Sequence, residues 1–274
     1  MATKTDEPLS IVAVGAHMDD CWLGMGALAL KAARRGHHVT MVQAVSQYGS
    51  WPTVQGRGAE VEALTKKVTS DNGIDLLKLG YDYMRIENRP ATIGRLVEVI
   101  KDLRPDLLFC HWEDDSNQDH VALGAVTRIA AMHQACFQPP EDADSLKDVR
   151  GLFQFEIDFQ THNFKPDTFV DITDELYDAL EIAAQFADLY ARKPAGAGPR
   201  NVSLIDHNRG QRQVGMVPYT EEKYAHAVLY GIQAGCRYAE GFRTYFSGYG
   251  GLGGARLLGT NHDHRQSRWY EEGP

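Results

Sequence analysis

Residues 11–20 read Ile-Val-Ala-Val-Gly-Ala-His-Met-Asp-Asp, and a Leu-, Ala- and Met-rich stretch from Trp22 to Arg34 follows and ends at Gly36. Four continuous apolar residues, a Gly-Ala turn and a helical run spell strand, turn, helix. A second strand-like run, Val39 to Val45, follows at once. It completes a βαβ unit, whose crossover forces parallel pairing.

The alternation continues outward from this unit. A helix is predicted from about Arg57 to Ser70, closed by Asp71-Asn72-Gly73, with a third strand from Ile74 to Leu79. Ile93, Leu96, Val97 and Ile100 give the stretch Ala91 to Leu103 an amphipathic spacing, and Pro105 ends it before a fourth strand, Asp106 to Cys110. Beyond a polar, proline-marked loop from Gln138 to Asp148, two more strands are expected at Leu152–Ile157 and Phe169–Ile172, extending the same sheet. Thr173 is read as the N-cap of a helix from Leu176 to Tyr190. Ala195 to Pro218 reads as a long surface loop, Thr220 to Arg237 as a last helix, and the Gly-rich stretch from Gly248 as a mobile end. The fold class is therefore α/β, a Rossmann-like three-layer sandwich with a mostly parallel sheet. No repeat or linker divides residues 1–274, which are read as a single domain with its core at about 10–245 and its tail at 248–274.

Composition narrows the ligand. The chain of 274 residues is 43% hydrophobic and 24% charged, with a formal charge of -9. Such a charge repels phosphate backbones and anionic bilayers, so nucleic acid and membrane are not expected partners. No stretch approaches the roughly 20 apolar residues that span a bilayer. Four dispersed cysteines, Cys21, Cys110, Cys136 and Cys236, fit buried thiols in a reducing compartment, and the polar start carries no leader, so the chain is read as cytoplasmic.

The chemistry-bearing residues fall in two places. One is the turn Gly15-Ala16-His17-Met18-Asp19-Asp20 after strand 1, and the other runs from His111 to His120 after strand 4. In a 3-2-1-4-5 strand order these carboxyl ends are neighbours at the switch point, where open α/β sheets hold their ligands. His17, Asp20 and His120 are then the economical ligands for a divalent ion, since two imidazoles and a carboxylate with an open position make a catalytic set. Asp19, between two of them, is placed as general base for metal-assisted hydrolysis of an acyl bond. Taken alone, the His-x-Asp-Asp turn also suits a helix N-terminus capped by Asp20, and Glu113-Asp114-Asp115 with Asp119 also suits a solvated acidic loop. His111 is either a partner that supports a metal ligand or a strand-end histidine, and the structural role is favoured. Gly24 and Gly26 lie too late for a dinucleotide fingerprint, and acids fill the turn where a pyrophosphate would sit.

At these residues the sequence resembles the PIG-L (LmbE-like) N-acetylglucosaminyl deacetylase family. Ala16-His17-Met18-Asp19-Asp20 matches its A-H-P-D-D motif except at Met18, and Asp119-His120-Val121-Ala122-Leu123-Gly124 looks like its second motif. Arg57 to Glu60, Leu79 to Asp82, Phe169 to Thr173 and Tyr238 to Phe242 extend the likeness in order. The resemblance implies a zinc-dependent N-deacetylase acting on a small-molecule amino-sugar conjugate. It implies His17, Asp20 and His120 as ligands of zinc, with Fe²⁺ or another divalent ion also accommodated, Asp19 as base, and Arg57 and Asp82 as contacts to substrate hydroxyls.

Two departures stand out. Cys21-Trp22 occupy the place of a common family Glu, and Asn117 replaces a histidine that polarises the acyl oxygen in some relatives. Asn117 still donates to an oxyanion but carries no proton. An amidase for a larger acyl group and a non-catalytic sugar-binding relative are the alternatives. Tyr48, Trp51, Tyr81 and Tyr83 are candidates for stacking on substrate, with core packing as the competing role. The 195–218 segment is either a lid or a contact in a homo-oligomer.

Overall fold

The computed structural model describes residues 7–139, 149–157, 161–190, 200–206, 210–216 and 218–247. Its elements run β1 (Ser10–Gly15), α1 (Asp20–Arg34), β2 (His38–Gln47), α2 (Gly58–Ser70), β3 (Asp75–Asp82), α3 (Pro90–Leu103), β4 (Leu107–His111) and α4 (Gln118–Met132). There follow β5 (Gly151–Phe155), β6 (Thr168–Asp171), α5 (Leu176–Tyr190), β7 (Arg200–Asp206), β8 (Gly210–Met216), α6 (Pro218–Ala234) and β9 (Ala239–Ser247). Seven strands form one sheet in the order β3-β2-β1-β4-β5-β9-β6, and β7-β8 form a separate hairpin.

The expected 3-2-1-4-5 order is present, with parallel pairing from β3 through β5. β1 and β4 are hydrogen-bonded neighbours, Ile11 to Val14 facing Leu107 to Cys110. Both are buried along this whole stretch, as strands covered on two faces must be. Helix α4 lies very close to β4: a Cβ on Gly124 would come within 2.8 Å of the His111 carbonyl oxygen. That approach brings the first turn of α4 to the end of β4.

Beyond β4 the structure differs from expectation in four respects. β9 inserts antiparallel between β5 and β6, so these two strands share the sheet without pairing. Gln118–Met132, unassigned beyond the D-H motif, is a helix; its many Ala and Gly residues leave little amphipathic contrast. The predicted loop over 195–218 contains the β7–β8 hairpin, in register from Arg200↔Met216 to Asp206↔Gly210. Polar residues alternating with Val202 and Leu204 hid a two-stranded ribbon in what reads as loop composition. Thr173 does not cap α5: its N–H and hydroxyl both donate to Asp171 Oδ1, and the Ile172 carbonyl receives the Leu176 N–H. The Gly-rich tail and most of the Gln138–Asp148 loop lie outside the described residues.

Candidate metal centre

The turn between β1 and α1 is fixed from both sides. The Ala16 carbonyl accepts the Val45 N–H from β2, and the Ala16 N–H reaches His111 Nε2 on β4. Within the turn, the His17 N–H donates to Asp20 Oδ2 at 2.7 Å, and the Asp19 carbonyl accepts the Leu23 N–H. Asp19 occupies the N-cap position of α1, yet its side chain makes no cap hydrogen bond. The pair of aspartates is therefore not explained by capping. Across the switch point, Asn117 caps α4 through its Oδ1, which takes the Asp119 N–H at 2.9 Å. His120 follows in the first turn.

Three donor atoms converge here. His17 Nδ1 and His120 Nε2 are 3.1 Å apart, and Asp20 Oδ2 lies 3.5 Å from the first and 3.4 Å from the second. Ligands about 2.0–2.1 Å from a tetrahedral ion sit roughly 3.3 Å from one another, so the triangle has the dimensions of a coordination face. All three side chains are buried, and they form the one such group found among the described residues.

The far nitrogen of each imidazole is also held. His120 Nδ1 lies 3.0 Å from Asp115 Oδ2, and His17 Nε2 lies 3.2 Å from Asp119 Oδ2. Carboxylates in these positions fix ring orientation and tautomer, as they do behind metal-ligating histidines. Asp115 is itself anchored by the Asn117 N–H and the Thr161 hydroxyl. Asp119 ties the β3–α3 loop to the centre by accepting the N–H groups of Met84 and Ile86. Met84 sits at φ 58°, a left-handed conformation unusual for its residue type, and this carboxylate helps to hold it there.

Of the two roles open to His111, the structure favours the partner of a ligand over the purely structural one. Fully buried, it stacks on His120 with ring centroids 4.2 Å apart, and its Nε2 lies 3.0 Å from Asp20 Oδ2. Asp115, Asp119 and His111 thus support the three convergent side chains. The signal available for them was the acidic run five and one positions before His120.

The electrostatics of the cluster favour a cation. Burial alone would lower the His17 and His120 pKa values, but the Asp20 carboxylate together with Asp119 or Asp115 raises them to about 9 and about 10. Asp20, despite the opposing effect of burial, is held well below the usual carboxylate range by His120, His17 and His111. Burial and the neighbouring His120 push His111 down to about 4, keeping it neutral. The well that attracts protons to His17 and His120 would equally attract a divalent ion, whose binding displaces those protons. The donor set fits Zn²⁺ or Fe²⁺.

Other predicted residues are distributed unevenly. Asp19 is buried in the turn between His17 and Asp20. Asn117 is half-buried at the start of α4, with Oδ1 engaged and Nδ2 left to donate. Arg57 gives Nε and one terminal nitrogen to Glu60 and the other to the Leu189 carbonyl, tying α2 to α5. Asp82 is exposed at the end of β3. No described contact links Arg57 or Asp82 to the three donors. Of the four aromatics, Tyr48 is buried with its hydroxyl on the Val45 carbonyl, and Tyr81 packs on the core. Trp51 and Tyr83 stack in parallel, 4.9 Å apart, with the Tyr83 ring 5.2 Å from His17. Cys21 and Trp22 are both buried, so bulk rather than a carboxylate fills the place of the family Glu.

Fold and centre together define an α/β protein with a candidate divalent-metal site at the switch point of its sheet. The PIG-L family model, described as GlcNAc-PI de-N-acetylase, matches residues 12–131, a span that contains all of these residues except Thr161 and Leu189. Residues 12–131 thus resemble a PIG-L domain. Among solved structures, the fold is similar to that of the conserved protein TT1542 from Thermus thermophilus (TM-score 0.66, 21% identity, covering 87% of this chain and 95% of that one). It is also similar to N,N'-diacetylchitobiose deacetylase from Pyrococcus horikoshii (TM-score 0.62, 20% identity, 88% and 87%). GalB, the 4-carboxy-2-hydroxymuconate hydratase from Pseudomonas putida KT2440, shares the fold to a like degree (TM-score 0.61, 19% identity, 87% and 96%). Among the described residues no helix is long and apolar enough to cross a membrane.

Proposed function

We propose that the chain is a metal-dependent hydrolase that removes an N-acyl group, acetyl in the simplest case, from an amino-sugar conjugate of the N-acetylglucosaminyl type. The observation that carries this is the triangle of His17 Nδ1, His120 Nε2 and Asp20 Oδ2 with sides of 3.1–3.5 Å. His17, Asp20 and His120 would hold zinc or Fe²⁺, and the chemistry such an ion supplies is water activation near neutral pH and polarisation of a carbonyl. The PIG-L match and the Pyrococcus deacetylase support deacylation. The hydratase of the same fold means that the fold alone does not select that reaction, so the choice rests on Asp19 and the family match.

The protein's own groups divide the work. Asp19 takes the proton of the attacking water and returns it to the leaving amine, a transfer worth about 10²–10⁴ in rate when positioned. Asn117 Nδ2 donates to the oxyanion of the tetrahedral intermediate. The carboxylates of Asp115 and Asp119 hold the two imidazoles in the tautomers that leave Nδ1 of His17 and Nε2 of His120 facing inward. The Trp51–Tyr83 stack forms an aromatic wall beside His17, suited to the face of a sugar ring. Asp82 at the rim, and Arg57 on release from Glu60, take sugar hydroxyls.

The test is to incubate the metal-loaded protein with a panel of N-acetyl and longer N-acyl glucosaminides and to measure free amine and released acid together. Equal amounts of amine and acetate are expected; a longer acid in preference to acetate would assign the larger-acyl amidase instead. Tight binding of the glucosaminides with neither product would leave a sugar-binding protein.

A further inference from the structure

Helix α1 is broken inside. Met25, flanked by Gly24 and Gly26, has φ −151° and ψ 26°, so the turn Asp20–Gly24 and the remainder are two helical pieces with a kink between them. Gly24 is required at this break because a Cβ there would overlap the Phe155 ring, 2.3 Å from Cδ2. In a continuous helix the Ala27 N–H would bond to the Leu23 carbonyl. Here both ends of that bond are taken by other groups. The Ala27 N–H donates to Glu240 Oε1 at 3.0 Å, and the Leu23 carbonyl accepts from Lys223 Nζ at 2.8 Å. Glu240 and Lys223 are themselves paired at 2.8 Å, and the second Glu240 oxygen accepts the Leu28 N–H at 2.8 Å. An ion pair from β9 and α6 is thus spliced into one missing hydrogen bond of α1. The carboxylate sits at the N-terminus of the second piece, where the helix dipole favours it, and both charges are buried.

What the splice holds is the first piece, which delivers Asp19 and Asp20. Leu23 joins the two: its carbonyl is held by Lys223 and its N–H donates to the Asp19 carbonyl at 2.8 Å. At the end of the first piece Gly24 rests on Phe155, whose ring meets His111 edge-on at 5.0 Å. We infer that Glu240 and Lys223 are positioning residues for Asp19 and Asp20, setting the tilt of the first turn of α1 relative to His17, His111 and His120. This inference rests on the metal-site reading above.

The test compares Glu240→Gln, Lys223→Met and Lys223→Arg with Ile100→Ala, a core variant in α3 used as a control for general loosening. Zinc affinity is measured by chelator competition and kcat and KM on the substrate found by the panel. Glu240→Gln and Lys223→Met are expected to weaken zinc binding at least tenfold and to lower kcat with KM within twofold. Lys223→Arg, which keeps donors for Leu23 and Glu240, should restore most of the affinity. Ile100→Ala should bind zinc as the wild type does even when it melts as low as Glu240→Gln. Zinc affinities in Glu240→Gln and Lys223→Met no weaker than in Ile100→Ala would overturn the inference. Should the wild type bind no zinc, the metal reading falls separately, and the ring ¹⁵N resonances of His17 and His120 become the readout. They should then move in Glu240→Gln and stay in Ile100→Ala, and unmoved resonances in Glu240→Gln would equally overturn the positioning role. If Glu240→Gln fails to fold, the Lys223 pair of variants decides by the same criteria.

Discussion

Two histidine–carboxylate clusters lie past the carboxyl ends of the parallel strands and are built to different ends. Around Glu156, just past β5, every contact is complementary: the Tyr230 hydroxyl donates to Glu156 Oε1, and His226 Nδ1 lies 3.2 Å from the same oxygen. A cavity of about 40 Å³ adjoins these residues, together with Lys223 and Glu240, which are paired to each other, whereas the cavity lined by His17 is about 10 Å³. Around His17, Asp20 and His120 the outward-facing nitrogens are occupied by Asp119 and Asp115, while the inward-facing atoms converge on a common place. The larger cavity therefore accompanies the closed cluster, and the cluster that lacks a centre is the one suited to chemistry. Convergence of acceptors, rather than cavity size, marks the site.

The comparison can be broken most decisively at Asp19. Asp19→Asn should lower kcat by about 10²–10⁴ while leaving metal content intact, because it removes a proton acceptor and no ligand. Undiminished turnover in that variant would remove hydrolysis by this mechanism. Asp115→Asn should act on the ion instead, weakening zinc affinity about 10–100-fold by freeing the His120 ring; chelator titration measures it. In the other cluster, Glu156→Gln should cost about 1–2 kcal/mol of stability, discounted for the partial exposure of His226, and leave zinc affinity and turnover within twofold. Chemical denaturation beside metal titration separates these effects, and a large loss of activity would show that the two clusters are not independent.

The smallest expected effect is on pH dependence. The hydrogen bond to Glu156, with its charge, raises the His226 pKa above its ordinary value of about 6.5. A raised folded-state pKa contributes stability that is complete below the unfolded value and is lost as pH climbs through the folded one. The wild type should therefore lose more stability than Glu156→Gln as pH rises upward from about 6.5. Parallel stability curves for the two proteins would contradict the pairing.

The divide between the clusters also shows what the sequence could reveal. Ile11 to Val14 and Leu107 to Phe109 were legible as buried strands because parallel strands covered on both faces are continuous apolar runs. Their adjacency at the switch point followed from topology, and it brought His17, Asp20 and His120 into one group for consideration. The acidic run 113–115 was not resolvable by pattern. Glu113 and Asp114 are exposed while Asp115 turns inward onto His120, a difference set by the Thr161 and Asn117 contacts and not by composition. β9 went unread because Ala239–Ser247 pairs antiparallel with strands more than sixty positions earlier, and nothing local announces such a partner. The splice of Glu240 and Lys223 into α1 joins residues some 200 positions apart and was invisible for the same reason.

The most direct test is elemental analysis of protein purified without a histidine tag, comparing the wild type with His120→Ala after equal exposure to zinc or Fe²⁺. About one divalent ion per chain in the wild type, lost in the variant, is the predicted result. A wild type that holds no ion after loading, or a His120→Ala protein that holds it as firmly, would contradict a metal centre built from His17, Asp20 and His120.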